Sequence, residues 1–481
     1  MGEIEANIKY LRELDFREFD LPVYQRPYRW QTSHVETLLN SLRDNMHKQE
    51  YRIGSIIVNP SKDTDKLDVV DGQQRLTTLS LLFMCLEQNS THRLRCKYPH
   101  IESKENIYRN YHYIKKWLKT YETQIEKTQF LNFILDKCSV VEIISPNLSE
   151  AFQMFDSQNG RGKELEAINL LKAFHLHAID KESSRIEVTD EKKTIDRKWE
   201  EAVAKTLYKM EKPLLKHLMN ELYRIRVWSR KMRAHEFSKS KIKEFKGFQF
   251  TGFSSSLPLH NHSFLLYVHF KETGMAAHRA KIHLEDENPF VDINMDIING
   301  KVFFSYVNTY VALYDYLFQT EIPSDNPLLQ FRKHFEKYCH GYGGQNRSGD
   351  TYLRELYVAL VMALFDRFGE ENLLKWYPIL YSLTYRKRLE NKSVYYSTVS
   401  DFPKDYFQFI ATAIEESGLD QLLQEESKPI ECKRLGEQEF SIAEYLINRG
   451  CELHINGNDL KYGKRKLKNG EILNKETISE K

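Results

Sequence analysis

The chain has 481 residues, enough for two or three domains that each bury a core. With 41% hydrophobic and 29% charged residues, a mean hydropathy of −0.58 and a net charge of +2, it reads as globular and water-loving. No apolar run approaches the roughly 18 residues of a membrane span. Met1-Gly-Glu-Ile-Glu lacks signal-peptide character, and six scattered cysteines without a Cys-x-x-Cys pair fit reduced thiols and argue against a structural zinc site. The expectation is a cytoplasmic protein with no membrane partner.

In chain order, residues 3–90 read as a short α/β unit. Leu21-Pro-Val-Tyr-Gln-Arg-Pro-Tyr-Arg-Trp30 is kept extended by Pro22 and Pro27. A helix follows, with a Ser33–Glu36 capping box and an apolar stripe of Val35, Leu38, Leu39, Leu42 and Met46. Arg52–Val58 is a buried-strand pattern broken by Gly54-Ser55, and a glycine inside a strand often marks close approach of a ligand or another backbone. Leu67–Val70 is a second strand; it turns at Asp71-Gly72 into a helix with Leu76, Leu79, Leu82 and Phe83 on one face. Further helices are expected at 103–124, 149–157, 164–180, 193–228, 302–319, 327–339, 351–368 and 370–385, and a strand at Cys138–Ile144. Residues 247–263 read as a loop, and the polar, lysine-rich tail from about 428 is expected to fray or to serve a partner. The fold class is α+β: an N-terminal α/β core (1–100), a helical extension (101–246), a C-terminal helical domain (264–427) and the tail (428–481).

The strand–turn–helix at Asp71-Gly-Gln-Gln-Arg75 carries the chemistry. A helix start offers free N–H groups and a positive dipole end, and a guanidinium at Arg75 can grip phosphate bidentately. The plainer reading makes Asp71 an N-cap, with Gln74 completing a capping-box-like pair and Gly72 easing the turn.

YQRPYRW, a helix, a glycine-serine strand and DGQQRLTTL together resemble the N-terminal domain of GmrSD-type modification-dependent restriction enzymes. That domain is shared with the phosphorothioate-sensing SspE and with BrxU, and is a relative of the ParB/sulfiredoxin fold. Residues 152–172, with an Asn-Gly-Arg-Gly loop and a helix ending in Lys172, resemble the family's second signature. A weaker likeness lies at 297–307. The resemblance covers 14–180 well and thins out to about 410. It implies a nucleoside triphosphate with Mg²⁺ in a pocket of Gln25, Arg26, Gly54, Ser55, Asp71, Gly72, Gln73, Gln74, Arg75, Thr77, Asn159, Arg161 and Lys172. Asp71, Gln74 and Arg75 would be catalytic, and Asp71 the metal ligand. It also implies DNA contacts from Tyr24, Tyr28 and Arg29.

From Arg224 to Lys246 the chain carries nine lysines and arginines against Glu236 and Glu244, an excess of seven. Arg224, Arg226, Arg230, Lys231, Arg233 and Lys241 are candidates for a DNA-backbone surface; the plainer alternative is a solvated helix face. Three other features are set aside. His260-Asn-His262 reads as loop, and Asp292, Asn294 and Asp296 mimic a calcium loop but have Ile297 where glycine is required, so Val291, Ile293, Met295 and Ile297 suggest a half-buried strand. His340-Gly-Tyr-Gly-Gly344 is glycine-rich but follows no clear strand. GmrSD-type enzymes also carry a Glu-His-x-x-Pro-like nuclease motif, which does not occur between 320 and 481.

Two classes of function remain. One is an NTP-hydrolysing, DNA-sensing component of an anti-phage restriction system that licenses a nuclease on another chain. The other is a non-enzymatic DNA- or nucleotide-binding module. A ParB-like nuclease is a third and weaker alternative, and a homo-oligomer is compatible with all three.

Overall fold

The computed structural model describes residues 3–22, 25–61, 65–86, 91–121, 123–147, 150–151, 154, 166–179, 185–248 and 292–479. Two compact units divide the chain, residues 1–197 and 198–481. The first is a sheet domain and the second is mostly helical, so the α+β class holds.

The sheet of the first unit contains β1 (Glu5–Tyr10), β2 (Phe19–Asp20), β3 (Tyr51–Pro60), β4 (Leu67–Asp71) and β5 (Cys138–Ile144), in the spatial order β1-β5-β3-β4-β2. β5 pairs antiparallel with β1 and parallel with β3, while β4 pairs antiparallel with β3 and parallel with β2. The three interior strands bury apolar residues: Ile56–Val58 in β3, Val69 and Val70 in β4, and Val140 and Ile143 in β5. Four helices complete the core: α1 (Thr32–Asp44), α2 (Gln73–Leu86), α3 (Ile101–Trp117) and α4 (Gln124–Lys137). The expected stripes go inward, with Val35, Leu39 and Leu42 of α1 and Leu76, Leu79, Leu82 and Phe83 of α2 all in one cluster.

Several sequence expectations shift. α1 starts at Thr32, and the Gln31 N–H donates to His34 Nδ1 at 3.2 Å, so the Ser33–Glu36 box is not what opens the helix. The helix expected to reach residue 124 ends at Trp117, with one tighter turn to Thr120. A new helix, α4, then begins at a capping box between Thr123 and Glu126. α5 (Ala167–Ile179) and α6 (Arg185–Ala204) follow.

The single helix expected over 193–228 is two. After α6 the chain turns through Lys205–Lys212, and Pro213, which lacks an N–H, precedes α7 (Leu214–Ser229). α8 (Lys301–Tyr314) and α10 (Ser348–Glu390) pack against it, and α9 (Leu328–Phe335) packs on α10. α10 is two helices joined at Gly369, whose φ of +78° breaks the ladder where the sequence pattern separates 351–368 from 370–385. Ile293–Ile297 form turns rather than the expected strand, and only Ile298 makes a bridge, to Phe248.

The tail does not fray. Beyond α11 (Tyr396–Asp401), α12 (Lys404–Thr412) and α13 (Asp420–Glu426), β6 (Ile430–Cys432), β7 (Leu453–Ile455) and β10 (Ile472–Leu473) form a sheet. The hairpin of β8 (Lys461–Tyr462) and β9 (Arg465–Lys466) lies between β7 and β10 in sequence. α14 (Phe440–Asn448) adds Ile442, Leu446 and Ile447 to a buried core with Ile430, Leu453, Ile455 and Leu473. These apolar residues are spaced in short groups among lysines, and the sequence reading weighted the lysines.

Candidate functional site

The turn from β4 into α2 is built by two glycines. Gly72 has φ +98°, and a Cβ there would stand 2.7 Å from Ile56 Cγ2. The first helical hydrogen bond runs from Leu76 N–H to Gly72 C=O at 2.9 Å, so the amides of Gln73, Gln74 and Arg75 precede the helical ladder. Gly54, at a bulge in β3 with φ +144°, lies against the Arg75 guanidinium: a Cβ there would meet Arg75 Cζ at 2.9 Å. Arg75 Nη1 also donates to Ser55 C=O at 2.8 Å. The glycine in the strand therefore marks the close approach of a side chain from the neighbouring helix.

Gln25–Trp30 is a strap tied across the same place. Gln25 Nε2 donates to the carbonyls of Val69 and Val70, each at 2.7 Å, just ahead of Asp71. The Gln74 Oε1 accepts from the N–H groups of Arg29 (2.8 Å) and Trp30 (3.2 Å), and its Nε2 donates to Pro27 C=O (3.2 Å). From α3, Ser103 accepts from Tyr28 N–H, Asn106 donates to Tyr28 C=O, and Asn110 donates to the Tyr28 hydroxyl and to Trp30 C=O. The sequence reading missed these three α3 residues. They are buried polar positions at 103, 106 and 110, one helical face, and that spacing was the available signal.

The strap brings a second arginine to the turn. Arg26 and Arg75 both lie within electrostatic reach of Asp71. Burial pushes the Asp71 carboxyl above its ordinary value, opposed by the Gly72 N–H and then by the two guanidinia. Burial also lowers both arginines, and Arg29 adds to the effect on Arg26 while Asp71 opposes it. Arg26 has no hydrogen-bond or ion-pair partner among the described residues. The result is two half-buried cations about one carboxyl, at the positive end of a helix.

Other expected site residues are placed differently. Gln74 is fully engaged by the strap, and the Thr77 hydroxyl pairs with that of Tyr98 at 2.9 Å. Lys172 is buried in an ion pair with Asp196, which also takes His100 at 3.1 Å, so its ammonium is committed inside the unit. Tyr28 is fully buried, with its hydroxyl on Thr78, and cannot stack on a base; Arg29 remains half-exposed beside Glu102. Tyr24, Asn159 and Arg161 lie outside the described residues, as does the 260–262 tripeptide.

The basic segment splits as well. Arg224 is wholly buried, paired with Glu221 and stacked over Trp228 and Tyr396. Arg226 is buried on Glu244 and the carbonyls of Ile293 and Met295. Both are core residues, which corrects their assignment to a DNA surface. Arg226 and Arg230 also line a cleft of about 320 Å³ with Ser229, Asp292, Asp366 and Arg367. Arg230 pairs with Glu244 and Lys231 with Asp405, while Arg233 and Lys241 are exposed.

Residues 191–437 match the profile of a family of unknown function, DUF7834, across half of the chain. The chain belongs to that family. Residues 8–176 match the GmrSD restriction endonuclease N-terminal domain, so the sheet unit is a GmrSD-type N-terminal domain. No curated protein matches the chain. Among the described residues, no helix is long and apolar enough to cross a membrane.

Proposed function

We propose that the GmrSD-type domain binds a nucleoside triphosphate at the start of α2, as the sensing part of a restriction-type defence system. The observation that carries this reading is Arg26, a half-buried guanidinium with no hydrogen-bond or ion-pair partner among the described residues, set with Arg75 around the same turn. Two cations and one carboxyl leave a positive excess where a helix start already favours an anion. The likeness to a restriction endonuclease domain makes phosphate-bearing ligands the natural class.

The residues fit Mg²⁺ as a companion of the phosphates rather than as a resident ion. Mg²⁺ takes one or two carboxylates plus phosphate oxygens, and among the described residues Asp71 is the carboxylate beside both guanidinia. When bound it would neutralise phosphate charge. Arg75 and Arg26 would hold the phosphate oxygens, and Asp71 would orient a water or the ion. Hydrolysis on this scheme rests on Asp71 and Arg75 without Gln74, whose amide is consumed by the strap. The same observation favours a second reading, a module that binds nucleotide or DNA and does not turn over.

Phosphate release from each of the four NTPs, with and without DNA, scored together with DNA cutting, separates the two. Release that disappears in Arg75→Ala supports the NTPase that licenses a nuclease on another chain. Binding of equal affinity in wild type and Arg75→Ala would refute the site. Plasmid nicking by the pure protein, lost in Asp71→Ala, would favour a ParB-like nuclease instead.

A further inference from the structure

In the helical unit, His217 and Glu221 stand four residues apart on α7, so both project from one face of the helix. Glu355 on α10 meets them. One ligand atom from each of the three lies within 4.8 Å of the other two, and His217 Nδ1 is 3.8 Å from Glu355 Oε1. Glu221 is 1% exposed. Its Oε1 accepts from Asn220 (3.0 Å) and Arg224 (3.3 Å), but its Oε2 is buried with no hydrogen-bond partner. A carboxylate oxygen buried and unmet is costly, and here it sits beside a second carboxylate and an imidazole.

The cluster is not sealed. The His217 and Glu355 side chains each keep 12% exposure. Lys212 Nζ reaches Glu355 Oε1 at 3.3 Å from a side chain 51% exposed, so this ion pair is on the solvent side of Glu355 and is readily exchanged. Arg224 is different: it is buried and stays with Glu221 Oε1. Lys212 therefore marks where a cation already stands beside Glu355, and a smaller, doubly charged one could also serve the unmet oxygen of Glu221.

We propose that His217, Glu221 and Glu355 form a site for one divalent cation of the zinc and manganese class. One imidazole nitrogen and two carboxylate oxygens are a donor set that such ions take, leaving a coordination position for water. Ligand atoms at about 2.0–2.2 Å from zinc lie roughly 3.5 Å apart, so closing on the ion needs side-chain shifts of about an ångström. The site is independent of the nucleotide reading, since all three residues belong to the other unit.

The test uses the full chain, stripped with chelator and titrated with Co²⁺, whose visible absorption reports coordination. Wild type should bind one tight equivalent, displaceable by Zn²⁺. Glu221→Gln, which keeps the shape and the bonds to Oε1, and His217→Ala should each weaken it by about 100-fold, since even outer-shell changes cost about 10–100-fold. Circular dichroism checks that each variant is folded. If Glu221→Gln does not fold, Glu355→Gln, at a partly exposed position, takes its place. Co²⁺ binding absent from wild type, or unchanged in His217→Ala and the glutamate variant, would overturn the proposal.

Discussion

Gln74→Ala should release the strap without touching Arg75. In the native protein one amide accepts from Arg29 and Trp30 N–H and donates to Pro27 C=O, all near or below the surface of the unit. Truncation leaves two donors and one acceptor unmet, at about 1–3 kcal/mol for each group that water does not reach. Water entering the vacated space would satisfy some of them, so a local cost of about 2–4 kcal/mol is expected. At about 1.4 kcal/mol per tenfold, even the lower figure raises local opening roughly 30-fold. Hydrogen exchange followed by mass spectrometry on the full chain reads this directly at Arg29 and Trp30. The Tyr28 anchors on Ser103 and Asn106 remain, so exchange should rise at the end of the strap while the β3 and β5 amides keep their protection. Gln74→Glu is the informative companion, because it keeps the acceptor and turns the donor against Pro27 C=O. Unchanged exchange at Arg29 and Trp30 in Gln74→Ala would refute the strap account and return Gln74 to the list of candidate catalytic groups.

Gly54→Ala should drive the Arg75 guanidinium from its place and strain a backbone at φ +144°, costing about 1–3 kcal/mol of stability and weakening nucleotide binding; calorimetry with intact affinity would count against it. Burial holds the Asp71 carboxyl above its ordinary 3.8, so its contribution to stability is present below that value and is lost as pH rises through the raised native value. Asp71→Asn should therefore melt above wild type at neutral pH, with the gain vanishing in acid below 3.8; a gain that persists there would contradict the cause assigned. Lys172→Ala removes one member of a buried ion pair and should cost about 3–5 kcal/mol in a nucleotide-free melt, where a ligand contact alone would cost nothing. Reversing Arg233, Lys241 and Lys243 to glutamate should lower the slope of log K against log salt for DNA by about 2.7 if all three touch phosphate, whereas an unchanged slope would assign DNA binding elsewhere.

The parts of this fold that could be read from sequence are those where a local pattern and the tertiary structure ask for the same thing. β4, the Asp71-Gly72 turn and α2 are of this kind, because the β-branched run, the glycine and the leucine stripe each fit one conformation. The break at Gly369 is another, since no other residue takes its φ as cheaply. The failures have a common cause. Arg226 and Lys172 are cations whose partners, Glu244 and Asp196, are 18 and 24 residues away and are met only through packing, while Arg224 has a local partner in Glu221 but is buried by its place in the core. Charge counting along the chain cannot tell a buried, paired arginine from a solvated one. Gln74 failed differently: an amide at a helix start reads as ligand-facing or as a cap, and its use by a strap 44 and 45 residues earlier is invisible locally.

The polar groups of the site divide into those bonded within the scaffold and those left over. The Gln25 and Gln74 amides and the Tyr28 and Thr77 hydroxyls are bonded inside the unit, and α3 adds Ser103, Asn106 and Asn110 to the strap. What is left over is Arg26, the Asp71 carboxyl and the guanidinium face of Arg75 not spent on Ser55. A structure that invests so many buried hydrogen bonds in fixing Arg26 beside Asp71 holds together charges that burial alone would separate, since burial shifts all three groups toward their neutral forms. On the proposed reading, a phosphate chain with its metal would resolve this: the two guanidinia would hold the anion and the carboxylate the cation, so that the charged form of each group would be favoured at once. A monoanion such as chloride or a simple carboxylate would serve the arginines only and leave Asp71 opposed. The site should therefore discriminate between ligands by requiring both charges, and Mg²⁺ should strengthen triphosphate binding in wild type far more than in Asp71→Asn.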